Sequence, residues 1–181
     1  LLYGIRERKG FVQLTGEVGA GKTTLCRALL DQLGQNFSTA LIVNPALDPN
    51  QLVQSIAMEF GLKVKGLDRL ETIAEINHFL LEQMAQDRES VLIIDEAQDL
   101  TNVLLEQVRL LSNLETDDRK LLQIVLMGQP ELRDRLNQHE LRQLRQRITV
   151  RYHLRALKYS EVGQYIHHRI HVSGGKGPPY F

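Results

Sequence analysis

The sequence predicts an α/β domain with a central parallel sheet of five strands and helices on both faces. Short apolar runs with the length of buried strands alternate with longer segments of helical periodicity along the chain. A glycine-rich stretch and an acidic pair each follow directly on one of these runs. Because ligands bind at the carboxyl ends of the strands in such sheets, both features indicate one site at that edge. The predicted fold is therefore a three-layer α/β sandwich.

The composition limits the classes of function. Across 181 residues, 22 Lys and Arg balance 22 Asp and Glu, which argues against a nucleic-acid-binding or membrane-binding surface. Cys26 is the only cysteine, so no intrachain disulfide is possible, and we expect a small buried residue inside a helix. No apolar run approaches the roughly 20 residues of a membrane-spanning helix. A start without Met and a Gly/Pro-rich end lead us to expect a fragment of a longer protein.

The first predicted strand, 11–15, leads into the stretch GEVGAGKTT and then into a helix over 25–33. This stretch fits the P-loop pattern G-x-x-x-x-G-K-[ST] and has the strand and the helix on the correct sides. Its glycines allow a tight turn whose N–H groups face inward, and the helix N-terminus adds positive potential. Lys22 is placed to reach the β- and γ-phosphates, and the Thr23 hydroxyl to ligate Mg²⁺. We predict that a nucleoside triphosphate binds to Gly16, Glu17, Val18, Gly19, Ala20, Gly21, Lys22, Thr23 and Thr24.

The middle of the chain predicts two further strands. One covers 38–44 and ends at the turn signal Asn44-Pro45, and the other covers 91–95. Between them, Asp48 caps a helix that ends at Gly61, and a longer helix covers about 67–87. The predicted inward face of this longer helix carries Leu70, Ile73, Ile76, Leu80 and Met84.

The strand at 91–95 delivers the acidic pair Asp95-Glu96 to its carboxyl end. Asp95 is placed to hold Mg²⁺, usually through water, and Glu96 to polarise a water for attack on the γ-phosphate. The alternative is a solvated strand end before a helix cap, with Asp99 nearby. Beside a P-loop, the pair favours an NTP hydrolase over a small-molecule kinase, which excludes water. The letters DEAQ also occur in a helicase motif, but this chain is too short for the two domains of that class.

The second half predicts a Thr101-capped helix to about residue 114, a strand over 121–127, short helices over 130–137 and 140–145, a strand over 148–154 and a helix over 160–171. Gln129 follows the strand at 121–127, where its amide can reach the γ-phosphate or orient the attacking water. A polar turn residue before Pro130 is an equal alternative. Asn44 ends the strand over 38–44, where its amide can bind Glu96 and hold this base away until a partner docks. An ordinary Asn-Pro turn is the equal alternative.

Arg142, Arg145 and Arg147 lie just before the last predicted strand. NTPases that act between subunits supply an arginine in trans, because a guanidinium neutralises the charge that develops in the transition state. A solvated helix surface or an interdomain salt bridge is the alternative for at least one of the three. Contact with DNA phosphate is a further alternative, although no helix-turn-helix signature accompanies the run.

Taken together, these motifs resemble an AAA+ ATPase, and within that group the general secretion pathway protein A family. The phrases YGIRERKGFVQLTGEVGAGKTT and LIIDEAQDL look particularly close to it, and MGQPEL and LRQRI follow in the same order. The resemblance implies that the loop is Walker A, Asp95-Glu96 is Walker B, Gln129 matches sensor 1 and Asn44 matches the glutamate-switch position. It also implies that Arg147 best matches the arginine finger, with Arg145 the close competitor. Sensor 1 is more often Asn, Ser or Thr, so the longer Gln129 departs from the family pattern.

The resemblance implies a P-loop nucleotide-binding domain over 1–156 and the first helix of a truncated helical lid over 157–181. It further implies a Mg²⁺-dependent ATPase that works as a homo-oligomer and drives assembly or function of a bacterial secretion or pilus apparatus. We then expect a cytoplasmic domain that is attached to the inner membrane and its apparatus proteins through parts outside this chain, with no nucleic acid as partner. The alternative is an ATP-dependent DNA-binding switch of the transposition or initiator type.

Overall fold

A single parallel sheet forms the centre of the molecule. The computed structural model describes residues 1–43, 48–116 and 119–174. Within these ranges the strands are β1 (Phe11–Gly16), β2 (Phe37–Ile42), β3 (Glu89–Ile94), β4 (Leu122–Gly128) and β5 (Ile148–Leu154). They lie in the order β2-β3-β4-β1-β5, and all four neighbouring pairs are parallel. The predicted five-stranded parallel sheet is confirmed.

Helices connect the strands and cover the sheet. They are α1 (Leu2–Arg6), α2 (Lys22–Leu33), α3 (Pro49–Glu59), α4 (Arg69–Ala85), α5 (Asn102–Leu111), α6 (Pro130–Leu136), α7 (Arg142–Arg147) and α8 (Tyr159–Val172). Short 3₁₀ turns cover Gly34–Asn36, Ala97–Asp99 and His139–Leu141. No helix in the described ranges combines the length and the apolar character that crossing a membrane requires.

The core consists of two apolar layers, one on each face of the sheet. Successive strand residues point to opposite faces, so Ile94 and Leu92 of β3 join one layer while Ile93 joins the other. The larger layer packs under α3, α4, α5, α6 and α7, and the smaller one under α1 and α2. Cys26 is buried in the smaller layer, as expected. Helices on both faces produce the three layers that the sequence predicted.

Side-chain caps fix the starts of three helices. Asp48 accepts hydrogen bonds from the backbone N–H groups of Asn50 and Gln51 at 2.8 and 2.9 Å, and Thr101 accepts one from Leu104. Both caps were predicted. Asp68 caps α4 in the same way as Asp48 caps α3, because each forms a capping box with the third helical residue.

The predicted inward face of α4 is wrong at its first turn. Leu70 is 73% exposed, whereas Ile76 and Leu80 are buried and Ile73 and Met84 are partly buried. The buried stripe begins at Thr72 instead. Because each residue turns a helix by about 100°, Leu70 lies roughly 200° from Thr72 and faces solvent.

Candidate active site

The predicted motifs meet at the carboxyl edge of three neighbouring strands. β4 lies between β1 and β3, so the strand ends follow one another as Gly16, Gly128 and Ile94. Thr15 pairs with Gly128, and Ile94 pairs with Leu126, so the ends are almost level. With neighbouring strands about 4.8 Å apart, the loop after β1 and the acidic pair after β3 are roughly 10 Å apart. The structure therefore places the loop, Gln129 and Asp95-Glu96 in one row.

The glycines of the loop have different roles. Gly19 and Gly21 have φ values of 77° and 95°, in the left-handed region that side chains disfavour. Gly16 instead allows the backbone of β5 to approach closely, since a Cβ atom at this position would lie 2.9 Å from the carbonyl oxygen of Leu154. The sequence suggested a turning role for all three glycines, but only Gly19 and Gly21 have positive φ.

Lys22 begins α2 and folds back over the loop. Its side chain is buried, and Nζ donates hydrogen bonds to the carbonyl oxygens of Gly16 at 2.8 Å and Glu17 at 3.1 Å. Thr23 and Thr24 are exposed in the first turn of the same helix. The ammonium group therefore lies at the loop, where a phosphate oxygen would be a stronger, charged acceptor than a carbonyl.

Asp95 is buried directly after β3. Its N–H donates to the carbonyl oxygen of Ile42 at 2.9 Å, which continues the pairing of β3 with β2. Burial, with the Asp95 charge as a second cause, raises the pKa of Cys26 to about 11. Cys26 lies one turn after Thr23, so the Asp95 charge acts on a group in the first turns of α2. Carboxylate and hydroxyl oxygens are ligands that Mg²⁺ accepts, so these residues fit that ion.

Glu96 has an unusual backbone conformation and a fixed side chain. Its φ of 50° and ψ of 39° are left-handed, which is uncommon for a residue other than glycine. Its carboxylate Oε2 accepts a hydrogen bond from Nε2 of Gln98 at 2.7 Å. The oxygen of the same Gln98 amide accepts from the backbone N–H of Gln129 at 3.1 Å. Sequence reasoning missed Gln98 as a site residue, although its position in the letters DEAQ was visible.

Gln129 stands at the end of β4, as predicted, and is the residue before α6. Its side chain is partly buried and makes no capping hydrogen bond to that helix. Asn44, the predicted glutamate-switch residue, lies outside the described residues.

The candidate finger arginines lie at the opposite end of the strands, near the amino end of β5. Arg145 and Arg147 belong to α7, which ends where β5 begins. The P-loop starts beside the other end of β5, where Gly16 pairs with Leu154. Arg147 donates to Ser112 Oγ at 2.9 Å. It also lies near Glu115, whose pKa is lowered mainly by a hydrogen bond from Lys120 and to a smaller extent by the charge of Arg147. Arg145 is partly buried, and its carbonyl oxygen accepts from Arg151.

An apolar cavity of about 570 Å³ adjoins the P-loop. The loop and the first half of α2 form one side, and the end of β5, the segment after it and one residue of α8 form the other. Leu154, Ala156, Leu157 and Tyr165 line this second side. The volume is in the range of small-molecule sites, which usually hold 300–1,000 Å³.

Comparison with known proteins agrees with this arrangement. The AAA domain family matches residues 5–136, which include the P-loop, the acidic pair and Gln129. The chain belongs to the AAA domain family. Membership confirms the expected enzyme class, an ATPase.

One curated relative of this AAA domain is the general secretion pathway protein A of Aeromonas hydrophila. It is 50% identical over 177 residues, which make up 96% of this chain and 32% of that protein. The chain thus spans about a third of the length of this relative. The resemblance to the general secretion pathway protein A family is confirmed.

Solved structures give the same fold at low identity. The ORC2 protein of Aeropyrum pernix in its ADPNP-ADP complexes has a TM-score of 0.70 and 18% identity, covering 94% of this chain and 49% of its own. Cdc6p of Pyrobaculum aerophilum has a TM-score of 0.68 and 18% identity, covering 90% and 43%. These similarities establish the fold of the AAA domain and no more than the fold.

Proposed function

We propose that this AAA domain binds ATP with Mg²⁺ and hydrolyses the γ-phosphate, with Glu96 as the general base. The observation that carries the proposal is the row of strand ends, where the Lys22 loop, Asp95-Glu96 and Gln129 lie side by side. In this proposal the last phosphate of a chain bound along the loop lies on the Glu96 side, and β4 alone separates the two strand ends.

Each residue of the row has one task in hydrolysis. Loop N–H groups and the Lys22 ammonium bind the phosphates, and Thr23 and Asp95 would hold Mg²⁺, which neutralises phosphate charge when bound. Glu96 takes a proton from water as the water oxygen bonds to the γ-phosphorus. The bond from that phosphorus to the bridging oxygen breaks, and ADP leaves with the electron pair. Gln129 contacts the γ-phosphate or the water.

The apolar cavity beside the loop is the proposed seat of the adenine ring. It is continuous with the P-loop, and Tyr165 of α8 supplies an aromatic face at its edge. None of the residues of α8 is buried. This supports the division of the chain after residue 156, with α8 as the first helix of a lid.

Arg145 or Arg147 acts on a neighbouring subunit in this proposal. β5 has seven residues, so it separates these arginines from the P-loop of the same chain by about 20 Å. An arginine side chain is too short for that distance. Of the two, Arg147 would have to break its hydrogen bond to Ser112 Oγ before its side chain could reach a neighbouring subunit.

The biological role that we propose is assembly or function of a bacterial secretion or pilus apparatus, at the cytoplasmic side of the inner membrane. The support is the 50% identity to a protein named for the general secretion pathway. A DNA-binding switch is less well supported, because 22 basic and 22 acidic residues leave no net positive charge.

The proposed hydrolysis is tested with Glu96→Gln in the full-length protein. We expect nucleotide affinity within twofold of wild type and a fall in kcat of at least about 100-fold, because a general base contributes that much. Asp99→Asn, three residues further on and exposed, serves as the matched control and keeps kcat. Undiminished turnover of Glu96→Gln would remove Glu96 from the mechanism. Turnover that rises strongly with DNA would support the DNA-switch alternative instead.

A further inference from the structure

The Gln98 side chain forms a bridge between two parts of the proposed site. Its amide nitrogen donates to Glu96 Oε2 at 2.7 Å, and its amide oxygen accepts from the N–H of Gln129 at 3.1 Å. Gln98 comes from the short turn Ala97–Asp99, and Gln129 comes from the end of β4. One side chain thus joins the two strand ends that flank the proposed attack on the γ-phosphate.

The orientation of this amide follows from its partners. The Gln129 N–H can only donate, so it requires the amide oxygen, and the amide NH₂ group must then face Glu96. An ionised carboxylate can only accept, which fits the NH₂ group and makes that hydrogen bond charge-assisted. A flipped amide would lose both hydrogen bonds.

The turn that carries Gln98 is itself fixed. Arg135 of α6 donates to the carbonyl oxygen of Gln98, and its second terminal nitrogen donates to Asn102 Oδ1 at 2.9 Å. Gly128 leaves the space that the amide occupies, because a Cβ atom at that position would lie 2.5 Å from Gln98 Oε1. The backbone of Gln98 and the room for its side chain are therefore both determined by β4 and α6.

We propose that Gln98 is a positioning residue that holds the Glu96 carboxylate and couples it to the end of β4. The proposal rests on Glu96 being the general base. If contact with the terminal phosphate moves the Gln129 backbone, the Gln98 amide transmits this movement to the Glu96 carboxylate through its two hydrogen bonds. Gln98 thus contacts Glu96 from the turn that follows β3 itself, and its role differs from the one expected of Asn44, which was to hold Glu96 away until a partner docks.

The test compares Gln98→Ala and Gln98→Glu in the full-length protein. Gln98→Ala removes both hydrogen bonds, whereas Gln98→Glu keeps the acceptor for Gln129 and sets a second carboxylate against Glu96. For Gln98→Ala we expect a roughly tenfold lower kcat, with KM and nucleotide affinity within twofold of wild type. Gln98→Glu should lose at least as much. The exposed neighbour Asp99→Ala is the matched control and should stay within twofold.

A double-mutant cycle separates positioning from a general structural role. If Gln98 acts through Glu96, Gln98→Ala lowers single-turnover hydrolysis in the wild-type background but changes nothing in the Glu96→Gln background. A structural role gives losses that multiply, together with a lower melting temperature and weaker nucleotide binding.

The outcomes also separate this inference from the proposed function. If Glu96→Gln turns over normally, the proposed function fails. If Glu96→Gln is inactive and both Gln98 variants keep wild-type kcat, the positioning role of Gln98 is overturned while Glu96 remains the base. Losses that multiply in the double mutant would overturn it as well.

Discussion

At the scale of single residues, the site depends on backbone conformations that side chains disfavour. Glu96, the residue that we propose as the general base, has a left-handed backbone conformation with a φ of 50°. Such conformations cost of the order of 1–3 kcal/mol and occur at functional sites, where surrounding contacts hold them. The hydrogen bond from Gln98 and the bond between Glu96 N–H and Asp95 Oδ1 at 2.9 Å supply those contacts.

This conformation predicts an unusual stability series at position 96. Glu96→Ala and Glu96→Gly both remove the carboxylate, but glycine adopts a positive φ without steric cost. We expect Glu96→Gly to be more stable than Glu96→Ala by about 1 kcal/mol, although glycine normally destabilises. Urea denaturation of the two variants measures the difference, and both should lack turnover. Equal stability, or a more stable alanine variant, would contradict the left-handed conformation.

At the scale of elements, the caps determine where the helices begin. Asp48 and Asp68 start α3 and α4, which pack against each other over one face of the sheet. Helix starts could be predicted at Asp48 and Thr101 because the capping chemistry is local. The face of α4 was predicted with one error, at Leu70, because the buried face depends on which side meets α3 and the sheet.

The cap of α3 gives a direct stability prediction. Asp48→Ala removes two hydrogen bonds to the N–H groups of Asn50 and Gln51 and should cost about 1 kcal/mol of unfolding free energy. Asn50→Ala changes an exposed residue of the same turn and is the matched control, with an expected change below about 0.5 kcal/mol. The midpoints of urea unfolding compare them. A cap variant as stable as the control would show that the capping box contributes nothing.

At the scale of the whole molecule, the two groups of candidate site residues lie at opposite ends of the strands. The phosphate loop and the acidic pair lie at the carboxyl ends of β1 and β3, and α7 with Arg145 and Arg147 precedes the amino end of β5. A site that needs an arginine from α7 must therefore take it from another copy. This is the structural basis for the proposed homo-oligomer.

Subunit mixing tests that arrangement. Lys22→Ala subunits keep the arginines but lack the phosphate-binding lysine, and Arg145→Ala/Arg147→Ala subunits keep the loop and lack both arginines. Subunits without both arginines should hydrolyse ATP at least about 10³-fold more slowly than wild type, because a finger arginine contributes that much. Lys22→Ala subunits should also be slow, because the phosphates lose the lysine. We expect a mixture to recover activity, since some sites then combine an intact loop with an intact arginine. A mixture no more active than the mean of its components would exclude an arginine supplied in trans.

The sequence by itself determined the five-stranded parallel sheet, the succession of its helices, and the positions of the P-loop motif and the acidic pair at the ends of strands. These depend on local periodicity, on capping and on motifs whose spacing is fixed by the chemistry of phosphate binding. Only the tertiary structure decided the contacts between segments that are distant in sequence. These are the close approach of Gly16 to Leu154, the hydrogen bond from Arg147 to Ser112 and the Gln98 bridge. Gln98 and Gln129 are 31 residues apart in sequence, and only the adjacency of β3 and β4 brings their groups together. Hydrogen bonds between distant segments leave no periodicity in the chain, which is why the sequence did not show them.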